Sequence, residues 1–449
     1  MSPGFTFGRS NRRRSRSARF TDAVLSSIRR QFTAPVSPPR QQKRSAPIEH
    51  AESMELRLLL AATIDLSTWA GVPFLLSASG NGANATFTLT NRTNSSVLTT
   101  ASVTAATGTL IVSGSTSADD LWIDTSGVTV NLPVSLSVNG LGGTDSVVFK
   151  GTSKFDATVS VIAESIGVDA SVTVDAQTSI SLTAVSALGT VSDTGLTAST
   201  TGTNSASLTV SGTVTAPTIL LSAATSGTVN STSTASLLTA TNTWTDSAVV
   251  TINGGASITG TNVSILADRA TSYSARGRNA KNEITGNASI TIGQTGSGAS
   301  ITAGTSLSIL ADNRITATAV SPDIEVNLDT LAWPAAVEVA IARNQITGNT
   351  SVAITDSTIS QTTGGGAGTT IEARRRLETV AEAGTDALTY NVIPNGASVA
   401  LAGSYASNLL SGDVSATVSG GSVSGTKIAV TAHDQATAMV KSGLSATSV

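Results

Sequence analysis

In "ITGTNVSILA" at 258–267, Val263, Ile265 and Ala267 alternate with Ser264 and Leu266. A period of two predicts a strand with one buried face. The arrangement returns as "VDAQTSISLTA" at 174–184 and "ITAGTSLSILA" at 301–311, and one residue shorter as "VTAPTILLSA" at 214–223 and "VSGTKIAVTA" at 423–432. Each copy has two apolar-rich pieces around a corner of Gly, Ala, Pro or Thr, and a cluster of such small or turn-forming residues suits a sharp bend. A second unit, "NEITGNASITIG" at 282–293, recurs as "NQITGNTSVAIT" at 344–355 and "NLLSGDVSATVS" at 408–419. Asn282, Asn344 and Asn408 open these copies, and Gly286, Gly348 and Gly412 share the corner.

The first unit closes on Ala163, Ala184, Ala223, Ala267, Ala311, Ala373 and Ala432, at successive intervals of 21, 39, 44, 44, 62 and 59 along the chain. Taken as one, two, two, two, three and three units of about 20.7 residues, these intervals predict a repeat architecture. The fold expected is all-β, a right-handed parallel β-helix of about 20–22 residues per coil, in which stacked corners bury one continuous aliphatic column. A β-sandwich array is the competing fold, but its Asn-Gly hairpin turns occur only at irregular spacing, at Asn81, Asn139, Asn253 and Asn395. The expected organisation is a disordered Arg-rich leader at 1–50, a short apolar motif at 51–66, an irregular β region at 67–150, and β-helix repeats over 151–449 that continue past the last residue. The stretch "SPDIEVNLDTLAWPAAVEVAIAR" at 321–343, with Trp333-Pro334, interrupts the pattern as an inserted loop or an irregular coil.

Composition sharpens this picture. Only 12% of the 449 residues are charged and 3% aromatic, so the core must be built from Val, Ile, Leu and Ala. β-Branched side chains suit strands. The net charge of −3 hides an asymmetry: residues 1–50 carry +9 and the remainder −12. The basic "RSNRRRSRSARF" has no aromatic interleaving and precedes an acidic body that repels phosphate, so no nucleic-acid partner is expected. The absence of cysteine excludes disulfides, zinc ribbons and thiol nucleophiles. The longest apolar run beside the leader, Leu58 to Ala62, is far short of the roughly 20 residues that cross a bilayer, so no transmembrane span is expected.

That run carries a resemblance. Met54-Glu55-Leu56-Arg57-Leu58-Leu59-Leu60 resembles the LEPR-XLL motif, Leu-Glu-Pro-Arg, one free position, Leu-Leu, found after basic leaders in large repetitive surface proteins of planctomycete-type bacteria. Glu55, Arg57, Leu59 and Leu60 match; Met54 stands for the first Leu and Leu56 for the Pro. The resemblance covers about residues 45–65. It implies a sorting element on an exported protein that meets an export machinery through this segment. The other reading of the run is a short amphipathic helix docked on the first strands. The body resembles the repeats of β-helical adhesins.

Two constellations carry candidate chemistry. The segment 117–149 is similar to a degraded calcium-binding nonapeptide repeat, with Asp145 as the acidic position, Gly140, Gly143 and Val147 in place, and Asp119, Asp120 and Asp124 on an earlier turn. Calcium held by Asp145, Asp120 and Asp124 is set against turn chemistry, which accounts for the glycines alone, and no cofactor is the base expectation. The second constellation follows the closing alanines: Asp268, Asp312, Arg374 and His433, with Arg269, Arg314, Arg375, Arg376 and Asp434 close behind. Coils in register would align these along one flank, either as a polar wall or as the carboxylates and cations of a polysaccharide lyase or hydrolase. With His50 and His433 as the only histidines, and with no Gly-x-Ser-x-Gly elbow or phosphate loop, the chain is expected not to be an enzyme. The function expected is a structural and adhesive protein, extracellular or on the cell surface in association with the outer membrane, presenting Ser and Thr to glycans or proteins of cells or matrix. The alternatives are a carbohydrate-active β-helix enzyme and a calcium-binding exported repeat protein.

Overall fold

The computed structural model describes residues 61–448 except residue 82, 105–107, 129, 141, 235–237, 323–324, 330–334, 364–366 and 391–398. Every described residue belongs to one compact unit, Leu58–Val449. The Arg-rich leader, Met54 to Leu60, and Trp333-Pro334 lie outside the described residues.

The chain is all-β. Among the described residues the one helical element is a single 3-10 turn, Leu66–Trp69, begun by Asp65, whose carboxylate accepts the Ser67 N–H at 2.9 Å. The strands form two long sheets, and the chain passes back and forth between them. In the first sheet Ala62–Asp65, Thr109–Ser113, Ser135–Asn139, Thr158–Ala163, Ser179–Gly195, Thr218–Ser233, Ser257–Arg276, Ser300–Ser321, Gly368–Tyr390 and Ile428–Ser448 are successive parallel neighbours. In the second, Pro73–Asn81, Asp120–Asp124, Ser146–Phe149, Ser165–Val168, Ala198–Val210 and Thr239–Ile252 stack in the same way. Beyond that point each rung of the second sheet is two strands around a glycine: Asn279–Thr285 with Ala288–Ile292, Ala335–Thr347 with Thr350–Thr355, and Val399–Ser411 with Val414–Ser419. Such long parallel sheets are compatible with a β-solenoid. Antiparallel pairing joins Pro73–Asn81, Asn84–Asn91 and Val97–Thr104, which add Phe87, Leu89 and Val103 to the interior. The region 67–150 therefore shares both sheets and the core with the strands after residue 150.

The seven closing alanines do stand in one row, each paired with the next from Ala163 to Ala432. The interval between them is another matter. Ala184 pairs directly with Ala223, and Ala311 directly with Ala373, with no strand between them in the sheet. The constant coil length expected from the sequence therefore does not hold. The interval from one rung to the next is 21 at Ala163 to Ala184, but 62 at Ala311 to Ala373 and 59 at Ala373 to Ala432. The extra length does not make extra rungs. It prolongs each first-sheet strand past its alanine and returns along the second sheet. The described parts of the stretch 321–343 belong to this widening: Glu325–Asp329 pairs with Asp386–Tyr390, and Ala335–Thr347 pairs on both sides.

Layers of side chains fill the space between the sheets. The main core is mostly aliphatic, with Phe74, Phe87, Phe149 and Phe155 in its earlier rungs, and runs from Ile64 and Leu110 through Val161, Leu182, Leu221, Ile265 and Ile309 to Ile371. In the widened part a polar layer comes next, with Asn204, Asp246, Arg269, Asn313 and Arg375 all buried. A second apolar cluster follows, including Val229, Trp244, Tyr273, Ile284, Ile315, Ile346 and Leu377. Beyond a layer of asparagines lies a third cluster made only of alanines, among them Ala240, Ala275, Ala280, Ala319, Ala342 and Ala381. The apolar side chains of that layer are therefore single methyl groups, the smallest that can still pack.

Gly286, Gly348 and Gly412 form a column at the kink of the second sheet, with φ of +119°, +157° and +111°. A Cβ on Gly286 would run into the Asp246 carbonyl oxygen, one on Gly348 into that of Gly286, and one on Gly412 into that of Gly348. Both the backbone conformation and the close stacking demand glycine here.

Candidate functional site

Three groups of polar side chains grow from this scaffold. The first is at the corner after residue 139. Asp120, Ser146 and Ser165 are in register, which places Asp119, Asp145 and Glu164 on successive rungs. Asp145 Oδ1 accepts the Asp119 N–H at 2.9 Å, and Glu164 Oε2 accepts the Asp145 N–H at 2.8 Å. Asp119 in turn accepts the Ser115 N–H at 2.5 Å. Asp145 is 2% exposed, and its Oδ2, packed against Gly140, has no hydrogen-bond partner among the described residues. Burial pushes its carboxyl up to about 7; the Asp119 N–H opposes the rise, and the charges of Glu164 and Asp119 add to it.

The other two calcium candidates face different partners. Asp120 forms an ion pair with Arg92, and Asp124 accepts from the Ser126 N–H at 3.0 Å and hydroxyl at 2.6 Å. Asp145, Asp120 and Asp124 are therefore not brought together. Among the described residues no group of three or more His, Cys, Asp or Glu is placed to hold a metal ion. Asp119 is the partner that Asp145 acquires. The loops Gly114–Asp119 and Gly140–Asp145 have equal length, a signal present in the sequence but masked by the apparent match at Asp120.

The second group is the flank beyond the closing alanines. Ala224, Asp268, Asp312, Arg374 and His433 occupy one row, as expected of coils in register. Asp268 takes both its bonds from Arg314 Nη2 at 2.7 Å. Asp312 collects Arg374 at 2.9 and 3.1 Å, Arg376 at 3.1 Å and Arg314 at 3.4 Å. Burial pushes the Asp312 carboxyl up, but the bonds and charges of Arg374, Arg376 and Arg314 outweigh this and hold it below the usual range. The same bonds raise Arg374. An aspartate engaged in this way stays ionised and is a poor proton donor.

Arg269 and Arg375 leave this flank and point inward, because neighbours on a strand face opposite sides. Arg269 is fully buried. Its Nε lies 3.1 Å from Asp246 Oδ2, and its Nη groups donate to the Gly286 and Thr285 carbonyls at 2.9 and 3.1 Å. Asp246 also receives Asn204 at 3.1 Å, Thr271 at 2.5 Å and Tyr273 at 3.3 Å. Burial and the Asp246 charge push the Tyr273 hydroxyl well above its ordinary value. Arg375 donates to the Gly412 carbonyl at 2.9 Å and pairs with Asp434 at 2.6 Å, which lowers the Asp434 carboxyl. The inward arginines therefore fasten the glycine kink.

The third group is a ladder of asparagine amides. Asn242 donates to Asn282 at 2.7 Å, Asn282 to Asn344 at 2.7 Å, and Asn344 to Asn408 at 2.8 Å. With its other N–H each reaches across the interior, to the carbonyls of Ser274, Thr318, Val380 and Met439 at 2.7–2.9 Å. The hydroxyls of Thr200 and Ser231, each 2.6 Å from Asn242 Oδ1, close one end. In the sequence Asn282, Asn344 and Asn408 are visible as the first residue of a repeat. Asn242 is hidden because Asp246 stands where the later copies carry glycine, yet the spacing is the same.

The outer faces carry hydroxyls that bond from rung to rung: Ser165 with Ser207 at 3.2 Å, Thr245 with Thr285 at 3.0 Å, and Thr347 with Ser411 at 3.1 Å. No helix among the described residues is long and apolar enough to cross a membrane. Comparison of the chain with known protein families, curated proteins and solved structures finds no match.

Proposed function

We propose that the protein is an exported, cell-surface β-solenoid, a right-handed parallel β-helix of widening coils, whose role is structural and adhesive. The LEPR-XLL-like segment at Met54 to Leu60 would serve as its sorting address. The observation that carries this reading is the set of outward Ser and Thr columns held in register from rung to rung. A surface of that kind offers many evenly spaced polar contacts, suited to glycans or proteins of a neighbouring cell or matrix, with affinity built from repetition. The engagement of Asp268 and Asp312 by arginines favours a structural flank over a pair of catalytic carboxylates.

Beads coated with the purified chain test the proposal. Retention on polysaccharide or cell layers, above that of beads coated with an unrelated β-protein, supports it. Equal retention overturns it. Turnover of an acidic polysaccharide that is lost in Asp268→Ala or Asp312→Ala would install the enzyme reading instead.

A further inference from the structure

The outer face of the first sheet carries a groove beside the charged flank, with a volume of about 540 Å³, across four neighbouring strands. Two rows of side chains make it. Ala270, Arg314, Arg376 and Gln435 are in register in one row, and Ser272, Thr316, Glu378 and Thr437 in the next. Ser272, Thr316, Thr437 and the Glu378 carboxylate form the floor, while Arg314 and Arg376 lie in the row beside it.

The two guanidiniums stand on adjacent strands, about 4.8 Å apart at the backbone. Like charges so placed repel. Asp312, 6% exposed beneath them, takes one nitrogen from each and holds them together, at 3.4 Å from Arg314 and 3.1 Å from Arg376. The heads themselves stay wet, with Arg314 44% and Arg376 45% exposed. Among the described residues Arg314 Nη1 and Arg376 Nε and Nη1 have no partner. Asp268 takes Arg314 Nη2 as well, so what remains is a set of single spare N–H groups on two neighbouring cations, and each can donate a charge-assisted bond to a carboxylate or sulfate oxygen. The hydroxyls of Ser272, Thr316 and Thr437 and the Glu378 carboxylate can meet sugar hydroxyls alongside. No aromatic ring lines the groove, so stacking on a neutral sugar face is not on offer there.

We infer that this groove is a binding site for an anionic polysaccharide, with Arg314 and Arg376 reading its carboxylate or sulfate groups and the Ser/Thr floor its hydroxyls. The inference rests on the adhesive reading and gives it a ligand class. The groove runs across the strands, so a chain of sugars lying in it meets each rung in turn.

The test is equilibrium binding of the full chain to polygalacturonate, dextran sulfate and unmodified dextran. Binding to polygalacturonate or dextran sulfate, weakened by salt and absent with dextran, is expected; the two anionic polymers separate carboxylate from sulfate recognition. Arg314→Gln or Arg376→Gln should each weaken binding about tenfold, the worth of a charged hydrogen-bond pair. Arg376→Lys, which keeps the charge but loses the planar array of N–H groups, should weaken it about threefold or more. Lys154→Gln, on a distant rung, should leave it unchanged. Circular dichroism of each variant should match the parent, because both arginine heads lie outside the core. Binding that ignores all three arginine substitutions, or equal binding to dextran, overturns the groove while leaving adhesion by the bead assay intact. Failure of the parent to bind either anionic polymer overturns it as well, and failure in the bead assay separately overturns the adhesive reading.

Discussion

Replacing Asn344 with alanine should break the amide ladder at its middle rung. Asn344 is fully buried and takes part in three bonds: it accepts from Asn282 at 2.7 Å and donates to Asn408 at 2.8 Å and to the Val380 carbonyl at 2.7 Å. The substitution removes all three and leaves the second N–H of Asn282 buried without an acceptor. A net bond is worth about 1 kcal/mol, and an orphaned buried group costs about 1–3 kcal/mol. Water can reach the partly exposed Asn408, so the expected loss is about 3–4 kcal/mol. Stacked repeats open in pieces, so the loss should be read locally. Amide exchange followed by mass spectrometry should show protection falling by about two to three orders of magnitude in Asn279–Thr285, Ala335–Thr347 and Val399–Ser411. Thr285→Ala, which deletes an outer hydroxyl contact, should cost no more than about 0.5 kcal/mol. If Asn344→Ala behaves like Thr285→Ala, the ladder does not hold the sheets together.

Three further outcomes follow from the same geometry. Gly286→Ala should abolish the folded product, since the new methyl meets the Asp246 carbonyl oxygen at φ +119°; soluble protein with unchanged circular dichroism would contradict the kink. Asp145, at about 7 in the folded chain against 3.8 unfolded, binds a proton in the native state that the unfolded chain has released, so stability should fall as pH rises from 4 through 7. The full effect is about 4 kcal/mol, and Asp145→Asn should flatten the slope and exceed the parent at pH 8 in urea denaturation; an unchanged slope would refute the burial argument. Chelation should leave the melting temperature within about 1 °C, because Asp145, Asp120 and Asp124 face separate partners; a large fall would restore a calcium site.

Much of the main core is legible because its alternation is written in Val, Ile and Leu. The row of closing alanines and the flank of Asp268, Asp312, Arg374 and His433 can be read from that pattern, since a strand that buries every second residue leaves a visible period. The widened part is not legible. On either side of the apolar cluster around Trp244 and Tyr273 its layers are built from Ala, Asn, Thr and a buried ion pair, as in "TATNTWTD" at 239–246, where inward Ala240, Asn242, Trp244 and Asp246 do not stand out on a hydropathy scale. Without that layer the residues between two alanines read as extra coils, whereas they lengthen the existing ones. Arg269 reads as a member of the flank beside Asp268, although the same period of two already requires it to face inward. Its partner Asp246 lies on the other sheet, and nothing local announces that pairing.

Direct pairing of rungs that are far apart in the chain underlies every layer of the molecule. With no native cysteine, Ser160→Cys/Thr370→Cys gives a clean pair of spin-label sites. Both are partly exposed and belong to one row through Ser181, Leu220, Ser264 and Ser308. Five strand spacings separate them, so pulsed dipolar spectroscopy should give a distance centred at about 24 Å, within the reach of the label arms. Coils of constant length would insert about ten spacings and move the peak to about 48 Å; a peak there would contradict the account.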